Sequence, residues 1–172
     1  MQKFILLRGH EGAGKSTFAQ QKIAEFQAAY PNAKIVYIDN DVLLTDKNGV
    51  YHTDFKRYLA AHQHNMAQQN QAFLWAKNHP NQALLIINAN TNQKAKTCLK
   101  MLKQAQENGL MNEVYRLHHR FQNLHFVSEE DVQKSIERLN QNPIEGEIHV
   151  LPEKSFRQPE NFVKTQSKEK IC

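Results

Sequence analysis

The most constraining feature of the sequence is a glycine-rich loop at residues 9–14, between an apolar run and a longer polar stretch. The apolar run "FILL" at 4–7 has the length and aliphatic content of a buried parallel strand. Residues 16–29 are predicted to form a helix. The loop holds glycine at positions 9, 12 and 14, which lets its backbone adopt conformations that other residues avoid. The sequence therefore predicts a strand, a tight loop and a helix in that order.

The loop and the two residues after it match the pattern G-x-x-x-x-G-K-[ST], which is typical of phosphate binding. In such a loop the backbone N–H groups and the start of the helix attract a polyphosphate. Lys15 is predicted to reach the β and γ phosphates, and the Ser16 hydroxyl to ligate Mg²⁺. The alternative is a surface turn with an accidental lysine, but the flanking strand and helix favour a nucleotide site. We therefore predict ATP and Mg²⁺ as cofactors, with nucleotide contacts from Gly9, His10, Glu11, Gly12, Ala13, Gly14, Lys15, Ser16 and Thr17.

Length and composition limit the classes of protein to consider. The 172 residues fit one domain, and 40% hydrophobic with 23% charged residues is typical of a globular protein. No apolar run approaches the roughly 18 residues of a membrane span, and the first apolar run is too short for a secretory signal. Cys98 and Cys172 have no paired spacing and are predicted to be reduced thiols. These features predict a cytoplasmic protein without a membrane partner.

The charge balance is basic, with 22 Lys and Arg against 17 Asp and Glu, a net charge of +5 and a pI near 9.2. This balance permits a polyanionic partner such as a nucleic acid. The nine histidines are accompanied by no HExxH motif and no Cys/His cluster. We therefore do not predict a zinc site.

The remaining chain alternates between apolar runs and amphipathic stretches. Strands are predicted at 34–38, 83–87 and 113–117, with a short last strand at 147–151. Helices are predicted at 53–78, 92–109 and 128–140. Thr53 and Ser128 are the predicted N-caps of the first and third of these helices, and Gly109 ends the second. This alternation predicts a three-layer α/β fold, a mostly parallel sheet with helices on both faces. We expect one domain over 1–151 and a polar, flexible tail over 152–172.

Ligands of such sheets bind at the carboxyl ends of the strands, so the residues that follow each strand are the candidate functional residues. Asp39 and Asp41 come after the second strand. Asp41 is the candidate general base, since it is placed to take a proton from a hydroxyl acceptor, and Asp39 is the weaker candidate for holding a Mg²⁺ water. The alternative is that both carboxylates only cap the following turn.

The third strand is followed by amides and a threonine, Asn88, Asn90, Thr91 and Asn92. Many phosphate-loop enzymes place an acidic residue here to hold the Mg²⁺ shell. Amides orient water or substrate hydroxyls but carry no negative charge, so Asp39 or Asp41 would have to compensate. The alternative is a polar turn with Asn92 capping the next helix.

At the end of the fourth predicted strand and just after it, Arg116 and Arg120 lie four residues apart near two histidines. A mobile lid over about 116–128 is predicted to close over ATP, where both arginines would neutralise charge on the transferred phosphoryl group. A solvated basic surface is the alternative.

The order of "GHEGAGKST", "IDNDVLL", "INANTN", "RLHHR" and "VSEED" resembles the phage-type 5′-polynucleotide kinase domain and its small P-loop kinase relatives. The resemblance covers most of residues 1–140 and implies a P-loop NTPase fold. It implies a general base at Asp41 and lid arginines at Arg116 and Arg120. The chain departs from the family at Leu44, where an Arg is frequent, and at Asn90, where an Asp is frequent. "YIDND" is also similar to zeta-toxin-like kinases, which phosphorylate a nucleotide sugar.

The resemblance implies an ATP-dependent phosphotransferase, with the 5′-hydroxyl of a polynucleotide as the expected acceptor. The alternatives are a small-metabolite or nucleotide-sugar kinase, and an ATP-binding protein with weakened catalysis. For a single-stranded nucleic acid 5′ end, the predicted helix at 53–78 offers Lys56, Arg57 and Tyr58 as charge and a stacking face. A solvated helix surface explains these three residues equally well.

Overall fold

The computed structural model describes residues 1–52, 54–121 and 127–152. Five strands form one sheet: Gln2–Arg8 (β1), Lys34–Ile38 (β2), Leu84–Asn88 (β3), Met111–Leu117 (β4) and Ile148–Val150 (β5). Their order across the sheet is β2-β3-β1-β4-β5, and each neighbouring pair is parallel. The central strands are buried almost throughout, as expected for a parallel sheet covered on both faces. The predicted α/β fold is confirmed.

The helices of the described chain are Lys15–Ala29 (α1), Asn40–Leu44 (α2), Phe55–Asn78 (α3), Ala95–Glu107 (α4) and Glu129–Gln141 (α5). Four of them connect consecutive parallel strands, and the short α2 directly follows β2. Side chains alternate between the two faces of β1. Phe4 and Leu6 belong to the hydrophobic cluster with α3 and α4, and Ile5 and Leu7 to the cluster with α1. The sheet therefore lies between two helical layers.

The ends of the helices agree with the sequence predictions in part. Ser128 caps α5 by accepting a hydrogen bond from Asp131 N at 3.1 Å, as predicted. The N-cap of α3 is Asp54, whose Oδ1 accepts from Arg57 N at 3.0 Å, and the predicted cap Thr53 lies outside the described residues. Helix α4 begins at Ala95, later than predicted, because Asn92 has a left-handed φ of 49°. Residues 153–172, which make up all but the first residue of the predicted flexible tail, also lie outside the described residues.

A buried arginine at the end of β1 ties the loops beside the glycine-rich loop together. The Arg8 side chain is fully buried, and its Nη1 pairs with Glu147 Oε2 at 2.7 Å. Its Nε donates to the Asn92 carbonyl at 2.9 Å, and its Nη2 to the carbonyls of Gln93 at 3.1 Å and Asn142 at 2.8 Å. Arg8 thereby fixes the segment between β3 and α4.

No helix in the described part of the chain has both the length and the apolar content needed to cross a membrane.

Candidate nucleotide and acceptor site

The glycine-rich loop joins β1 to α1, and two of its glycines have backbone conformations that other residues avoid. Gly12 has φ 79°, and Gly14, the N-cap of α1, has φ 88°. A Cβ atom on Gly12 would also lie 2.6 Å from the carbonyl oxygen of Phe121. The first N–H groups of α1 have no acceptor within the helix, which makes this end an anion-binding position. The geometry fits the predicted role in phosphate binding.

Lys15 is the first residue of α1, and its ammonium group lies over the loop. Its Nζ donates to the carbonyls of Gly9 at 2.9 Å and His10 at 2.8 Å. Burial lowers the pKa of Lys15, while the negative charges of Glu11, Asp41 and Asp39 act in the opposite sense. Lys15 is therefore a buried cation whose charge interacts with those of Glu11, Asp39 and Asp41.

The other predicted loop residues fall into two groups. Glu11 to Thr17 all line a cavity of about 700 Å³ at the carboxyl ends of the strands. Gly9 and His10 are absent from the lining of this cavity. His10 is 2% exposed, its Nδ1 lies 2.8 Å from the carbonyl of Glu11, and burial lowers its pKa. In the described structure, position 10 therefore brings no exposed imidazole to the cavity.

Glu11 places a carboxylate inside the glycine-rich loop. Its Oε1 lies 3.5 Å from Ser135 Oγ, whereas its Oε2 is buried and has no hydrogen-bond partner among the described residues. A negative charge at this position opposes a polyphosphate and favours a cation or a hydrogen-bond donor.

The two aspartates after β2 lie close to each other and on the Lys15 side of the cavity. Asp39 caps α2 by accepting from Asp41 N at 2.9 Å, which is the capping contact that the alternative interpretation expected of it. Its other oxygen accepts from Tyr37 Oη at 3.0 Å. Burial, and then the neighbouring Asp41 charge, raise the pKa of Asp39. Asp41 Oδ1 accepts from Tyr51 Oη at 2.9 Å, which orients the carboxylate of the candidate base.

An amide network occupies the position where an acidic residue was expected. Asn90 Oδ1 accepts from Asn40 N at 2.9 Å, and Asn90 Nδ2 lies 3.4 Å from Asn40 Oδ1. The same Asn40 oxygen accepts from Asn65 Nδ2 at 3.0 Å, and Asn40 Nδ2 contacts His62 Nδ1 at 3.2 Å. Asn90 therefore anchors the backbone between the two aspartates.

The predicted placement of Arg116 in a closing lid is wrong. Arg116 belongs to β4, where it pairs in register with Arg8 of β1, and it is 2% exposed. Its Nη2 lies 3.4 Å from Asn140 Oδ1 on α5, and it does not line the cavity. The strand continues through Leu117, so Arg116 is a buried residue of the sheet and lies outside the segment that follows it.

Arg120 and Phe121 lie beyond β4, at the start of the segment predicted as a lid. Arg120 is exposed and pairs with Glu129 at 3.2 Å. Phe121 N donates to the Gly12 carbonyl at 2.8 Å, and its ring stacks on His119 with ring centroids 5.0 Å apart. A Cβ atom on Gly14 would lie 3.1 Å from this ring. Residues 122–126, the centre of the predicted lid, lie outside the described residues. The described part of the segment thus contacts the loop through Phe121.

Sequence reasoning missed two of these aromatic residues. Tyr51 lies close to Asp41 because the chain turns at 46–49, and an antiparallel bridge then pairs Tyr51 with Thr45. The run "DKNG" was the available turn signal. Phe121 had no comparable signal, since a single exposed aromatic residue after a strand is common.

The residues present fit a Mg²⁺ ion that is held mainly by nucleotide phosphates. The Ser16 hydroxyl at the start of α1 and the Asp39 carboxylate line the same cavity and are oxygen donors of the kind Mg²⁺ prefers. Burial, and then the Asp41 charge, raise the pKa of Asp39, and a cation beside the two carboxylates would act against this shift. In the part of the chain that the structure describes, no group of three or more His, Cys, Asp or Glu side chains could hold a metal by itself.

Comparisons with known proteins bear on the family and the fold of the chain. The chain is 35% identical over 152 residues to the uncharacterized protein PM0531 of Pasteurella multocida, covering 88% of this chain and 84% of that protein. No family model matches the chain. Among solved structures, Kti12 of Chaetomium thermophilum in complex with ADP-AlF₃ is similar with a TM-score of 0.55 and 10% identity, over 96% of each chain. A candidate kinase from Chloroflexus aurantiacus is similar with a TM-score of 0.51 and 13% identity, over 98% of this chain and 96% of the other.

At these low identities the likeness to the solved structures concerns the fold alone. The likeness to the Pasteurella protein extends to sequence and to most of both chains. The chain therefore belongs to the same protein family as PM0531 of Pasteurella multocida, and it has a P-loop NTPase fold.

Proposed function

We propose that this protein transfers the γ-phosphate of ATP to a hydroxyl group of an acceptor. The observation that carries the proposal is the position of Lys15 and Asp41 in one cavity, close enough for their charges to interact. A phosphate-binding lysine after one strand and a carboxylate after another strand of the same sheet are what in-line transfer to a hydroxyl requires.

In the proposed mechanism the loop N–H groups and Lys15 hold the phosphates, which requires Lys15 to exchange its carbonyl partners for phosphate oxygens. Asp41 accepts the proton of the attacking hydroxyl, and Tyr51 keeps its carboxylate in place through their 2.9 Å hydrogen bond. Ser16 and Asp39, together with the phosphates, would hold Mg²⁺, which would supply charge neutralisation there. Arg120 leaves the exposed Glu129 and approaches the phosphates from the segment after β4.

The proposed acceptor is the 5′-hydroxyl of a polynucleotide. The net charge of +5 supports this choice, because phosphate backbones bind to basic surfaces. The second candidate is a small hydroxyl compound such as a nucleotide sugar. It is favoured by one observation: the cavity extends between two helices, where Tyr58, His62 and Met66 of α3 and Thr97 and Met101 of α4 line it.

The proposal is tested by incubating the protein with γ-labelled ATP and Mg²⁺ and each of three acceptors: 5′-hydroxyl oligonucleotides, nucleosides and nucleotide sugars. Label is expected on the 5′ end of the oligonucleotide and not on an oligonucleotide that already carries a 5′-phosphate. Asp41→Asn is expected to lower the rate of transfer by roughly 10²–10⁴, while ATP affinity changes little.

Asp54→Asn serves as the matched control, because Asn also caps a helix and residue 54 does not line the cavity. Transfer only to small molecules would replace the polynucleotide with the second candidate. ATP binding without transfer to any acceptor would identify the third possibility, an ATP-binding protein that has lost catalysis.

A further inference from the structure

The cavity extends from the phosphate loop to a face of α3 that carries two aromatic rings. Tyr58, His62 and Met66 are spaced four residues apart, which puts them on one side of the helix, and all three line the cavity. Lys56 and Arg57 do not line it. Of the three residues considered from sequence as nucleic-acid contacts, Tyr58 alone therefore borders the cavity that contains Asp41.

The two rings are neighbours in a stacked arrangement. The rings of Tyr58 and His62 are nearly parallel, with an interplanar angle of 7° and centroids 6.2 Å apart. Tyr58 is 46% exposed, so much of its surface remains accessible. We call Tyr58 and His62 the aromatic wall.

The aromatic wall is fixed relative to the candidate base. His62 Nδ1 lies 3.2 Å from Asn40 Nδ2, and Asn40 directly precedes Asp41 in α2. Asn40 is held in turn by Asn65 and Asn90. A molecule that stacks on the wall would thus lie at a defined position relative to the Asp41 carboxylate.

The chemistry of this end of the cavity matches a planar heterocycle. Met66 of α3 and Met101 of α4 add polarizable thioethers to the two rings. Rings and thioethers offer large contact area and few hydrogen-bond partners, which suits a nucleobase better than a polyhydroxylated sugar. Resting on the proposed function, we propose that the aromatic wall stacks the base of a nucleoside unit whose 5′-hydroxyl is delivered to Asp41.

The test measures binding by calorimetry at saturating Mg²⁺ and a non-hydrolysable ATP analogue, so that the nucleotide site is filled. The probes are thymidine, a short oligothymidylate with a 5′-hydroxyl, and methyl ribofuranoside as the base-free compound. Tyr58→Ala is expected to weaken thymidine and oligothymidylate binding about 5- to 150-fold, the range of stacking one base on an aromatic ring. Binding of the base-free compound should not change.

Two controls separate stacking from general damage to α3. Tyr58→Phe keeps the ring and should bind thymidine within about twofold of the original protein. Phe55→Ala removes a 76% exposed aromatic residue of the same helix that does not line the cavity, and should also stay within about twofold. Tighter binding of the oligothymidylate than of thymidine, lost steeply as salt rises, would identify a nucleic acid as the source of the nucleoside unit; equal binding would identify the free nucleoside.

The outcomes test the aromatic wall as a base site separately from the proposed function. Absence of thymidine and oligothymidylate binding, or equal binding by Tyr58→Ala, overturns the aromatic wall as a base site, even where label is transferred to another acceptor. Tyr58-dependent binding without label transfer to any acceptor supports the wall and contradicts the proposed function.

Discussion

Glu147→Gln should destabilise the protein strongly, because it leaves the Arg8 guanidinium buried without a counter-charge. The side chains of Arg8 and Glu147 are 0% and 4% exposed, and their atoms lie 2.7 Å apart. Removing one partner of a buried pair typically costs about 3–5 kcal/mol. Arg8 also donates to the carbonyls of Asn92 and Gln93. The substitution therefore affects the residue that holds the segment bordering the cavity.

Glu113→Gln is the matched control for this variant. Lys3 and Glu113 also lie 2.7 Å apart, on β1 and β4, but their side chains are 23% and 28% exposed. A pair with this access to water contributes about 0–1 kcal/mol. The two variants thus remove the same charge at the same distance and differ in burial.

The assay is urea unfolding followed by circular dichroism and by fluorescence of Trp75, the single tryptophan. With a slope of about 2 kcal/mol per molar urea, Glu147→Gln should lower the midpoint by about 1.5–2.5 M, and Glu113→Gln by about 0.5 M or less. Equal shifts for the two variants, or a loss below about 1 kcal/mol for Glu147→Gln, would refute the reasoning.

Three further predictions concern the loop and the acidic residues. Glu11→Gln should tighten ATP binding several-fold in calorimetry, because it removes a negative charge from the phosphate loop; unchanged or weaker binding would show that Glu11 does not face the phosphates. Gly12→Ala should lower the free energy of unfolding by about 1–2 kcal/mol or more, since φ is 79° and the new Cβ would meet the Phe121 carbonyl at 2.6 Å, and an unchanged urea midpoint would contradict this geometry. The folded state raises the pKa of Asp39, so it binds protons more readily than the unfolded state and loses stability as pH rises above 3.8. Asp39→Asn should therefore be more stable than the original protein at pH 7 and lose this advantage below pH 3.8; an advantage that grows on acidification would reverse the assigned sign.

Much of the fold was predictable because short apolar runs and amphipathic stretches alternate cleanly along the chain. The run at 34–38 is β2 as predicted, and the run at 83–87 differs from β3 by one residue. The carboxyl ends of parallel strands meet at one edge of the sheet. Lys15, Asp39 and Asp41 were therefore brought into one cavity by topology that the sequence already indicated.

The errors arise where the sequence pattern does not report three-dimensional position. The four-residue spacing of Arg116 and Arg120 indicated a shared role, but β4 runs through Leu117 and separates the two residues into sheet and loop. Arg8 lies next to the glycine-rich loop in sequence. Its ion pair with Glu147, which is 139 residues away, could not be predicted from the residues around it. Such long-range pairs depend on how α5 and β5 return to the sheet, which local spacing cannot specify.

Asn90 stands where an aspartate is frequent, and the reason for this difference is visible only in the three-dimensional structure. An aspartate at this position could accept from Asn40 N but could not donate to Asn40 Oδ1, and its charge would lie close to Asp39 and Asp41. The amide instead links the ends of β2 and β3 without adding to the negative charge of the cavity.

Calorimetric titration with Mg·ATP and with adenosine tests the central claim, that the loop after β1 binds the triphosphate of ATP. We predict that the original protein binds ATP at least about tenfold more tightly than adenosine, a difference of about 1.4 kcal/mol. Lys15→Ala should abolish this preference. Lys22→Ala should retain it, because Lys22 lies on α1 with its ammonium 5.1 Å from the Tyr115 ring centroid, outside the cavity. Equal affinity of the original protein for ATP and adenosine, or an unchanged preference in Lys15→Ala, would contradict the claim.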